Sequence, residues 1–259
     1  MSIEGVLLDM DGVLAQSWRA LPGAAETLAW LRERSVPFRV VTNTTTHTRT
    51  GFARTLTDAG LPVDPVDVIT AVVGTAAYLR AHHRGASVFL LSDGDPREDL
   101  EGVELVDGVE DADVVVLGGA NDDFTYGILN RVFRRVMDGA TLVGMHRNLY
   151  WRTDQGLQLD AGAFIAGLEE ASGRHAAICG KPARAFFEQA VSALGTPADR
   201  TAMVGDDVVN DVLGAQAAGL VGVLVKTGKF APEDLARAGG RPDHELDSIG
   251  DLPSLLDAS

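Results

Sequence analysis

Short apolar runs alternate with longer amphipathic segments along this chain, and the alternation predicts its secondary structure. Eight runs are predicted to be buried strands because aliphatic residues dominate them. They are Ile3–Leu8, Phe38–Val41, Val88–Leu91, Val114–Leu117, Thr141–Gly144, Ala176–Cys179, Ala202–Val204 and Val221–Val225. Segments between them are predicted to be helices: Ala24–Arg34, Arg49–Ala59, Thr75–His83, Tyr126–Met137, Gly162–Ala171, Pro182–Leu194, Asp207–Ala218 and Pro232–Ala238. Strands that alternate with helices are typical of a parallel sheet, so we expect an α/β fold.

Length and local composition suggest that the fold has two parts. The chain has 259 residues, enough for one or two domains. Between Asp93 and Asp123 twelve acidic residues stand against a single basic one, Arg97. We therefore expect residues 76–176 to form a separate α/β unit, inserted into a core made by residues 1–75 and 177–259.

The overall charge excludes several classes of function. The formal net charge is −15, whereas binding to nucleic acids or anionic membranes needs a basic surface. The acidic stretch itself is explained either by an ordinary solvated surface or by a salt-adapted host. A single cysteine, Cys179, and an N-terminus without a basic signal region predict a reducing, cytoplasmic setting. We expect no nucleic-acid and no membrane partner.

Common nucleotide and hydrolase motifs are missing from the sequence. No G-x-G-x-x-G follows a strand, no G-x-S-x-G occurs, and the histidines lack the spacing of a metal-binding helix. Gly180-Lys181 resembles the end of a P-loop, but Pro182 replaces the expected Ser or Thr. The chemistry must therefore be sought elsewhere.

The first candidate group is Asp9-Met10-Asp11-Gly12, at the end of the first predicted strand. In an extended chain, side chains two residues apart point to the same side. Two close carboxylates push their pKa values apart, so that one stays ionised while the other carries a proton. Gly12 lets the backbone turn close to a ligand. The alternative is a strand-end turn in which both acids only cap amide groups.

Two further groups follow other predicted strands. Thr42, Asn43 and Thr44 end the second strand, and their hydroxyl and amide groups are suited to phosphate oxygens. Lys181 lies between a predicted strand and a predicted helix, where its charge could balance carboxylates and phosphate. The alternatives are an ordinary strand end for the first group and a lysine that points to solvent for the second.

The last group is Asp206-Asp207 with Asp211, after the seventh predicted strand. Carboxylates at a strand end suit Mg²⁺, which binds one or two of them together with water and phosphate oxygens. The alternative is that Asp206 or Asp207 only caps the following helix. The carboxyl ends of parallel strands meet at one edge, so we expect all four groups to come together there. Together they predict metal-assisted phosphoryl transfer through an acyl phosphate.

These groups, in this order, resemble the motifs of the haloacid dehalogenase-like (HAD) phosphatases. The long insert between Thr42 and Lys181 resembles the type C2 cap of the NagD-like subclass IIA. Within this subclass the sequence resembles the group of phospholysine phosphohistidine inorganic pyrophosphate phosphatases and their HAD-domain-containing relatives. The stretches that carry this similarity are Val41–Thr45, His146-Arg147, Tyr150-Trp151, Leu159–Gly162 and Val225–Lys229.

The resemblance implies a Rossmann-like core with an inserted cap and a role for each candidate residue. Asp9 would be the nucleophile and Asp11 the general acid and base. Mg²⁺ would bind the Asp9 side chain, the Asp11 backbone carbonyl and Asp206, with Asp207 and Asp211 around them. Asp211 would organise the metal's water molecules or Lys181. The phosphoryl oxygens would bind Gly12, Thr42, Asn43, Thr44 and Lys181.

For the cap, the resemblance implies control of substrate choice. It would close over the phosphate site, and Arg147, Asn148 and Tyr150 would contact a small phosphorylated substrate. Tyr150 and Trp151 could instead belong to the cap core or to a subunit interface, and a homodimer through the cap is expected. Two other functions stay open: a phosphoacceptor signalling module, and a ligand-binding protein without catalysis.

Overall fold

The structure is a computed structural model that describes residues 2–153 and 156–258, residues 151–153 by their backbone alone. The strands of this part are numbered along the chain. They are β1 Gly5–Asp9, β2 Ala15–Gln16, β3 Arg19–Ala20, β4 Phe38–Thr42, β5 Val68–Thr70, β6 Ser87–Leu91, β7 Glu104–Val106, β8 Val114–Leu117, β9 Thr141–Gly144, β10 Tyr150–Thr153, β11 Gly156–Leu159, β12 Ala177–Ile178, β13 Thr201–Gly205, β14 Val221–Val225 and β15 His244–Leu246.

The helices of the same residues are numbered in the same way. They are α1 Ala24–Glu33, α2 Arg49–Asp58, α3 Ala71–His82, α4 Tyr126–Met137, α5 Ala161–Ser172, α6 Arg184–Leu194, α7 Gly214–Ala217, α8 Pro232–Arg237 and α9 Leu252–Asp257. A π-helix spans Val208–Leu213. Among the described residues, no helix combines the length and the apolar character needed to cross a membrane.

The chain divides into two compact units. The first unit contains the residues up to Thr42, Arg49–Ile69 and the residues from Lys181 onward; the second contains Asn43–Thr48 and Thr70–Gly180. The division before α3 lies six residues earlier than the one expected from the sequence. Helix α3 begins at Ala71, not Thr75, because the Thr70 side chain accepts a hydrogen bond from the Val73 amide and caps it. The roles of catalytic core and cap stay predictions.

The first unit is built on a six-stranded sheet in the order β15-β14-β13-β1-β4-β5. Strand β1 pairs in parallel with β13 on one side and β4 on the other, and all five of its residues are buried. From β1 the chain builds the sheet outward in one direction and later in the other. Such a switch in strand order leaves a crevice at the carboxyl ends of the central strands, where ligands bind in open α/β sheets.

The second unit has its own five-stranded sheet, β12-β9-β8-β6-β7, in which all neighbours are parallel. Buried aliphatic side chains of β8 and β9 pack against α4 and α5 in its core. The predicted strand Ala176–Cys179 is found here as β12, shortened to two residues and paired with β9. The expectation that this strand joins the sheet that carries the other candidate groups is therefore wrong.

Three further local predictions need correction. The expected helix Asp207–Ala218 is a π-helix followed by the short α7, and the helix expected from Pro182 begins at Arg184. The short strands β5, β7 and β15 and the antiparallel hairpin β10–β11 were not predicted. Strands of three or four residues contain too few positions for a period of two to stand out.

Candidate active site

Three acidic side chains of the first unit meet beyond the carboxyl ends of its central strands. Asp9 is the last residue of β1, and Asp206 follows β13 directly. Since Leu8 lies beside Val204 in the paired strands, both strands end at the same level. Asp211, from the π-helix, completes the group, and one carboxylate oxygen from each residue lies within 4.8 Å of the others. All three residues are buried.

Lys181 lies inside this acidic group. Its ammonium nitrogen is 2.6 Å from Asp9 Oδ1 and 2.7 Å from Asp211 Oδ1, and only 4% of the side chain is exposed. Burial alone would lower the pKa of Lys181, but the charges and hydrogen bonds of Asp211 and Asp9 raise it above its usual value. The lysine is therefore charged, and the alternative of a solvent-pointing side chain is wrong.

Among the described residues, only one of the two carboxylate oxygens of Asp206 has a hydrogen-bond partner. Its Oδ2 atom accepts a hydrogen bond of 2.5 Å from the Lys229 amide, whereas the buried Oδ1 atom has no hydrogen-bond partner among the described residues. Burial and the charge of Asp9 raise the pKa of Asp206 to about 7. A buried carboxylate oxygen without a partner is costly, and bound Mg²⁺, which prefers oxygen ligands, would satisfy it.

Asp211 and Asp207 divide two tasks between them. The Asp207 side chain accepts hydrogen bonds from the Val209 and Asn210 amides at 3.0 and 2.9 Å, so it caps the π-helix. Of the two neighbouring acids, Asp207 is thus the cap. Asp211 instead pairs with Lys181; burial raises its pKa, although the lysine charge opposes this.

Asp11 lies two residues beyond Asp9, and the residue is partly exposed to solvent. Loss of water around the carboxyl group, together with the charge of Asp9, raises the pKa of Asp11 to about 6. The chain turns immediately afterwards: the Gly12 amide donates a hydrogen bond to the Ala15 carbonyl at 2.8 Å. Asp11 therefore has the exposure and the proton affinity that suit a proton donor.

Gly12 brings the backbone very close to the acids. Its φ of +82° belongs to the left-handed region, and a Cβ atom built there would lie 2.1 Å from Asp206 Oδ2. Gly228 also approaches this oxygen, since its Cβ would lie 2.0 Å away. Any side chain at either position would displace the carboxylate.

The residues Thr227–Lys229 were given no role by the sequence analysis. They follow β14, and the Thr227 hydroxyl donates a hydrogen bond of 2.5 Å to the Gly12 carbonyl. Together with the bond from the Lys229 amide to Asp206, this ties the loop to the acids. The sequence signal that could have found them is the predicted strand Val221–Val225 just before them. Because β14 pairs in parallel with β13, its end lies at the same sheet edge as Asp206.

The candidate phosphate-binding residues lie at the end of β4. Because Val41 pairs with Asp9, Thr42 lies one residue beyond the level of the nucleophile candidate, and it is buried. Asn43 and Thr44 follow it directly but are counted with the second unit. Phosphate binding by the three residues stays a prediction.

The candidate substrate contacts Arg147, Asn148 and Tyr150 all lie in the second unit. The Arg147 guanidinium pairs with Glu169, with one hydrogen bond of 3.1 Å. The Asn148 carbonyl accepts a hydrogen bond from the Gly162 amide, and Tyr150 is 62% exposed. Tyr150 is thus not part of a buried core; the Trp151 side chain lies outside what the structure describes. Their contact with substrate stays a prediction.

Comparisons with known proteins agree with this arrangement. A family model described as haloacid dehalogenase-like hydrolase matches residues 6–106, and a HAD-hydrolase-like model matches residues 178–252. Human haloacid dehalogenase-like hydrolase domain-containing protein 2 is 36% identical over 233 residues, which cover 90% of this chain and 88% of the relative. Rat phospholysine phosphohistidine inorganic pyrophosphate phosphatase is 31% identical over 98% of this chain and 94% of its own.

Solved structures of similar proteins extend the likeness to the whole fold. The p-nitrophenyl phosphatase from Archaeoglobus fulgidus has a TM-score of 0.91 at 27% identity and covers 99% of this chain and 100% of its own. NagD from Escherichia coli K-12 has a TM-score of 0.88 at 26% identity and covers 97% of this chain and 98% of its own. The chain therefore belongs to the haloacid dehalogenase-like hydrolase family, within the NagD-like phosphatases of subclass IIA.

Proposed function

We propose that this chain is a Mg²⁺-dependent phosphatase that hydrolyses small phosphate monoesters, pyrophosphate or phosphoamides through an aspartyl phosphate. The observation that carries the proposal is the group of Asp9, Asp206 and Asp211 around Lys181. Lys181 balances one of these three carboxylates. The residual negative charge and the unpartnered Asp206 Oδ1 fit a divalent cation.

The metal would be held by side-chain oxygens of Asp9 and Asp206 and by the backbone carbonyl of Asp11. When bound, Mg²⁺ supplies positive charge that screens the phosphoryl oxygens and the carboxylates from one another. The remaining chemistry belongs to the protein. Lys181 holds the Asp9 carboxylate in place through its contact with Oδ1, and Asp211 holds Lys181.

In the first step, an Asp9 carboxylate oxygen forms a bond to phosphorus while the bond from phosphorus to the leaving group breaks. Asp11 donates its proton to the leaving atom. In the second step, Asp11 takes a proton from water, the water oxygen bonds to phosphorus, and the bond between Asp9 and phosphorus breaks. Phosphate leaves, and both acids return to their starting states.

The phosphoryl oxygens need donors around them, because charge is spread over all three during transfer. We assign this task to the backbone at Gly12, to Thr42, Asn43 and Thr44, and to Lys181. For the rest of the substrate we assign Arg147, Asn148 and Tyr150. A cytoplasmic location, a homodimer formed through residues 76–176, and the lack of nucleic-acid and membrane partners also stay predictions.

The choice among substrates starts from the names of relatives. Similar proteins are called p-nitrophenyl phosphatase and phospholysine phosphohistidine inorganic pyrophosphate phosphatase. We therefore propose aryl phosphate, phosphoamides and pyrophosphate as the first members of a substrate panel.

The test is phosphate release from p-nitrophenyl phosphate with Mg²⁺ and with EDTA. Wild type should turn over only with the metal, and D9N should lose at least about a thousand-fold in kcat, because the nucleophile is gone. The exposed Asp58 provides a matched control, since D58N removes the same group outside the cluster. Full activity in D9N would overturn the role of Asp9. A stable aspartyl phosphate without turnover would favour the phosphoacceptor function, and tight ligand binding without hydrolysis would favour the non-catalytic one.

A further inference from the structure

One cation beside the candidate active site has no role in the mechanism above. The chain has three lysines, Lys181, Lys226 and Lys229. Lys181 is buried between two carboxylates, and Lys226 pairs with Glu245 and Asp247 at 3.3 and 3.7 Å. Across the described chain, no ion pair within 4.0 Å involves the Lys229 ammonium, and its side chain is exposed.

The backbone holds Lys229 at the acidic cluster. Its amide donates a hydrogen bond of 2.5 Å to Asp206 Oδ2. The preceding Gly228 has a φ of +60°, and it packs so closely that a Cβ atom there would lie 2.4 Å from the Gly12 α-carbon. The lysine side chain therefore starts from a fixed point next to the reacting groups, although its end is free.

The acids of the site raise the pKa of Lys229. Burial of part of the side chain would lower the pKa of Lys229, but Asp9, Asp206, Asp207 and Asp211 together raise it. The ammonium group is therefore charged at neutral pH.

The two active-site lysines thus differ in position. Lys181 touches Asp9 and Asp211, the nucleophile and its neighbour, and both contacts are buried. The Lys229 backbone is bonded to Asp206 instead, and Gly228 before it packs against Gly12, the residue that follows the proposed proton donor Asp11. The protein has a net charge of −15, so a lysine without an ion-pair partner among the described residues attracts anions to this place.

We propose that Lys229 is a substrate-binding residue that pairs with an anionic group on the leaving part of the substrate. The enzyme would then favour phosphorylated compounds with a second anionic group there, such as a second phosphate or a carboxylate, over compounds with a neutral leaving group. This inference rests on the proposed phosphatase function, because that function defines which part of the substrate leaves.

The kinetic test compares inorganic pyrophosphate with p-nitrophenyl phosphate in wild type, K229Q, K229R and K226Q. In K229Q the KM for pyrophosphate should rise about tenfold, the effect of losing one charged contact. The KM for p-nitrophenyl phosphate should rise less than about threefold, and kcat should change little. K229R, which keeps the charge, should restore most of the affinity. K226Q serves as the control, because Lys226 is already paired with two acids.

A binding test separates this inference from the proposed function. Methylenediphosphonate carries two anionic groups and is not hydrolysed; methylphosphonate carries one. By calorimetry with excess Mg²⁺, K229Q should weaken binding of the first about tenfold and leave the second nearly unchanged. Equal effects on both ligands, or none, would overturn the inference, even with an active enzyme. Selective weakening in a protein that hydrolyses no substrate would support the binding role and defeat the phosphatase proposal.

Discussion

Lys181 shows how one side chain holds a cluster of like charges together. Without it, Asp9 and Asp211 would be two buried carboxylates facing each other. With its ammonium 2.6 and 2.7 Å from them, each gains a charged hydrogen bond. Removing one partner from a buried ion group costs about 3–5 kcal/mol, because a charge remains without compensation. The lysine is therefore part of the fold as well as of the chemistry.

His146 is a buried titratable residue of the second unit. Its Nδ1 atom accepts a hydrogen bond of 3.3 Å from the Asn148 amide, so the neutral ring carries its proton on Nε2. Nε2 lies 3.8 Å from Asp160 Oδ2. Burial lowers the pKa of His146, although the charge of Asp160 acts in the opposite direction. The folded protein thus keeps the imidazole neutral.

This residue predicts an acid-sensitive contribution to stability. Unfolded chains bind a proton at His146 below about pH 6.5, while the folded state binds it only at lower pH. As the pH is lowered through this window, the free energy of unfolding should therefore decrease, by up to about 1.4 kcal/mol per pH unit. Urea unfolding at pH 7.5 and 5.5 should show a smaller drop for H146Q than for wild type.

His175 provides the control for that measurement. Its side chain is 96% exposed and its Nδ1 atom lies 4.0 Å from Glu169 Oε1, so H175Q removes an imidazole outside the buried surroundings of His146. We expect H175Q to keep the wild-type dependence on pH. An H146Q variant that loses as much stability on acidification as wild type would contradict the assignment of this effect to His146.

Among the elements, two loops pack against each other and against Asp206 in the candidate site. The turn after β1 and the loop after β14 meet at Gly12 and Gly228, and a Cβ atom at either glycine would lie about 2 Å from Asp206 Oδ2. The Thr227 hydroxyl joins the loops by its bond to the Gly12 carbonyl. Strand β13 positions the Asp206 backbone, and the packing of these two loops limits where its carboxylate can lie.

We predict that G12A destabilises the protein more than G195A and that only G12A impairs activity. Both glycines have a φ of +82°, so a side chain is strained by about 1–2 kcal/mol at either position. At Gly12 the new Cβ atom also meets Asp206 Oδ2 at 2.1 Å, whereas within the described residues no atom lies within 4 Å of a Cβ at Gly195. Urea unfolding and kcat/KM for p-nitrophenyl phosphate measure both effects. Equal stability losses with full activity in both variants would refute the close approach.

At the scale of the whole molecule, charge is unevenly distributed. Twelve of the 37 acidic residues lie between Asp93 and Asp123, in the second unit. Many are exposed there, and the ion pairs of Glu110 with Arg131 and of Asp95 with Arg97 compensate two of them. Repulsion between exposed charges extends over about 10 Å at 0.1 M salt and weakens as salt is added. A compact state with this net charge is therefore destabilised by its own field.

We predict that Tm rises by about 2–4 °C between 0.05 and 0.5 M NaCl, equivalent to about 1 kcal/mol for a chain of this size. The triple variant E104Q/D107N/D122N removes three exposed charges of the acidic stretch. It should start with a higher Tm and respond less to salt, because less repulsion is left to screen. Identical salt curves for both proteins would show that these charges do not limit stability.

Much of the fold and the site could be predicted from the chain alone. The long aliphatic runs of β1, β4, β13 and β14 are strands because only burial on both faces suits them. Since parallel strands end at one edge, Asp9 and Asp206 were expected together, and they are. Local patterns therefore determined the fold class and the reacting groups.

Only the tertiary structure decided which other residues join those reacting groups. The run Ala176–Cys179 pairs with β9 of the second unit, because strand order depends on contacts between distant segments. The same holds for the π-helix that carries Asp211 to Lys181 and for the loop that brings Lys229 to Asp206. A sequence pattern records which face of an element is apolar. Which distant backbone approaches a given carboxylate depends on packing of the whole chain, and no local period contains that information.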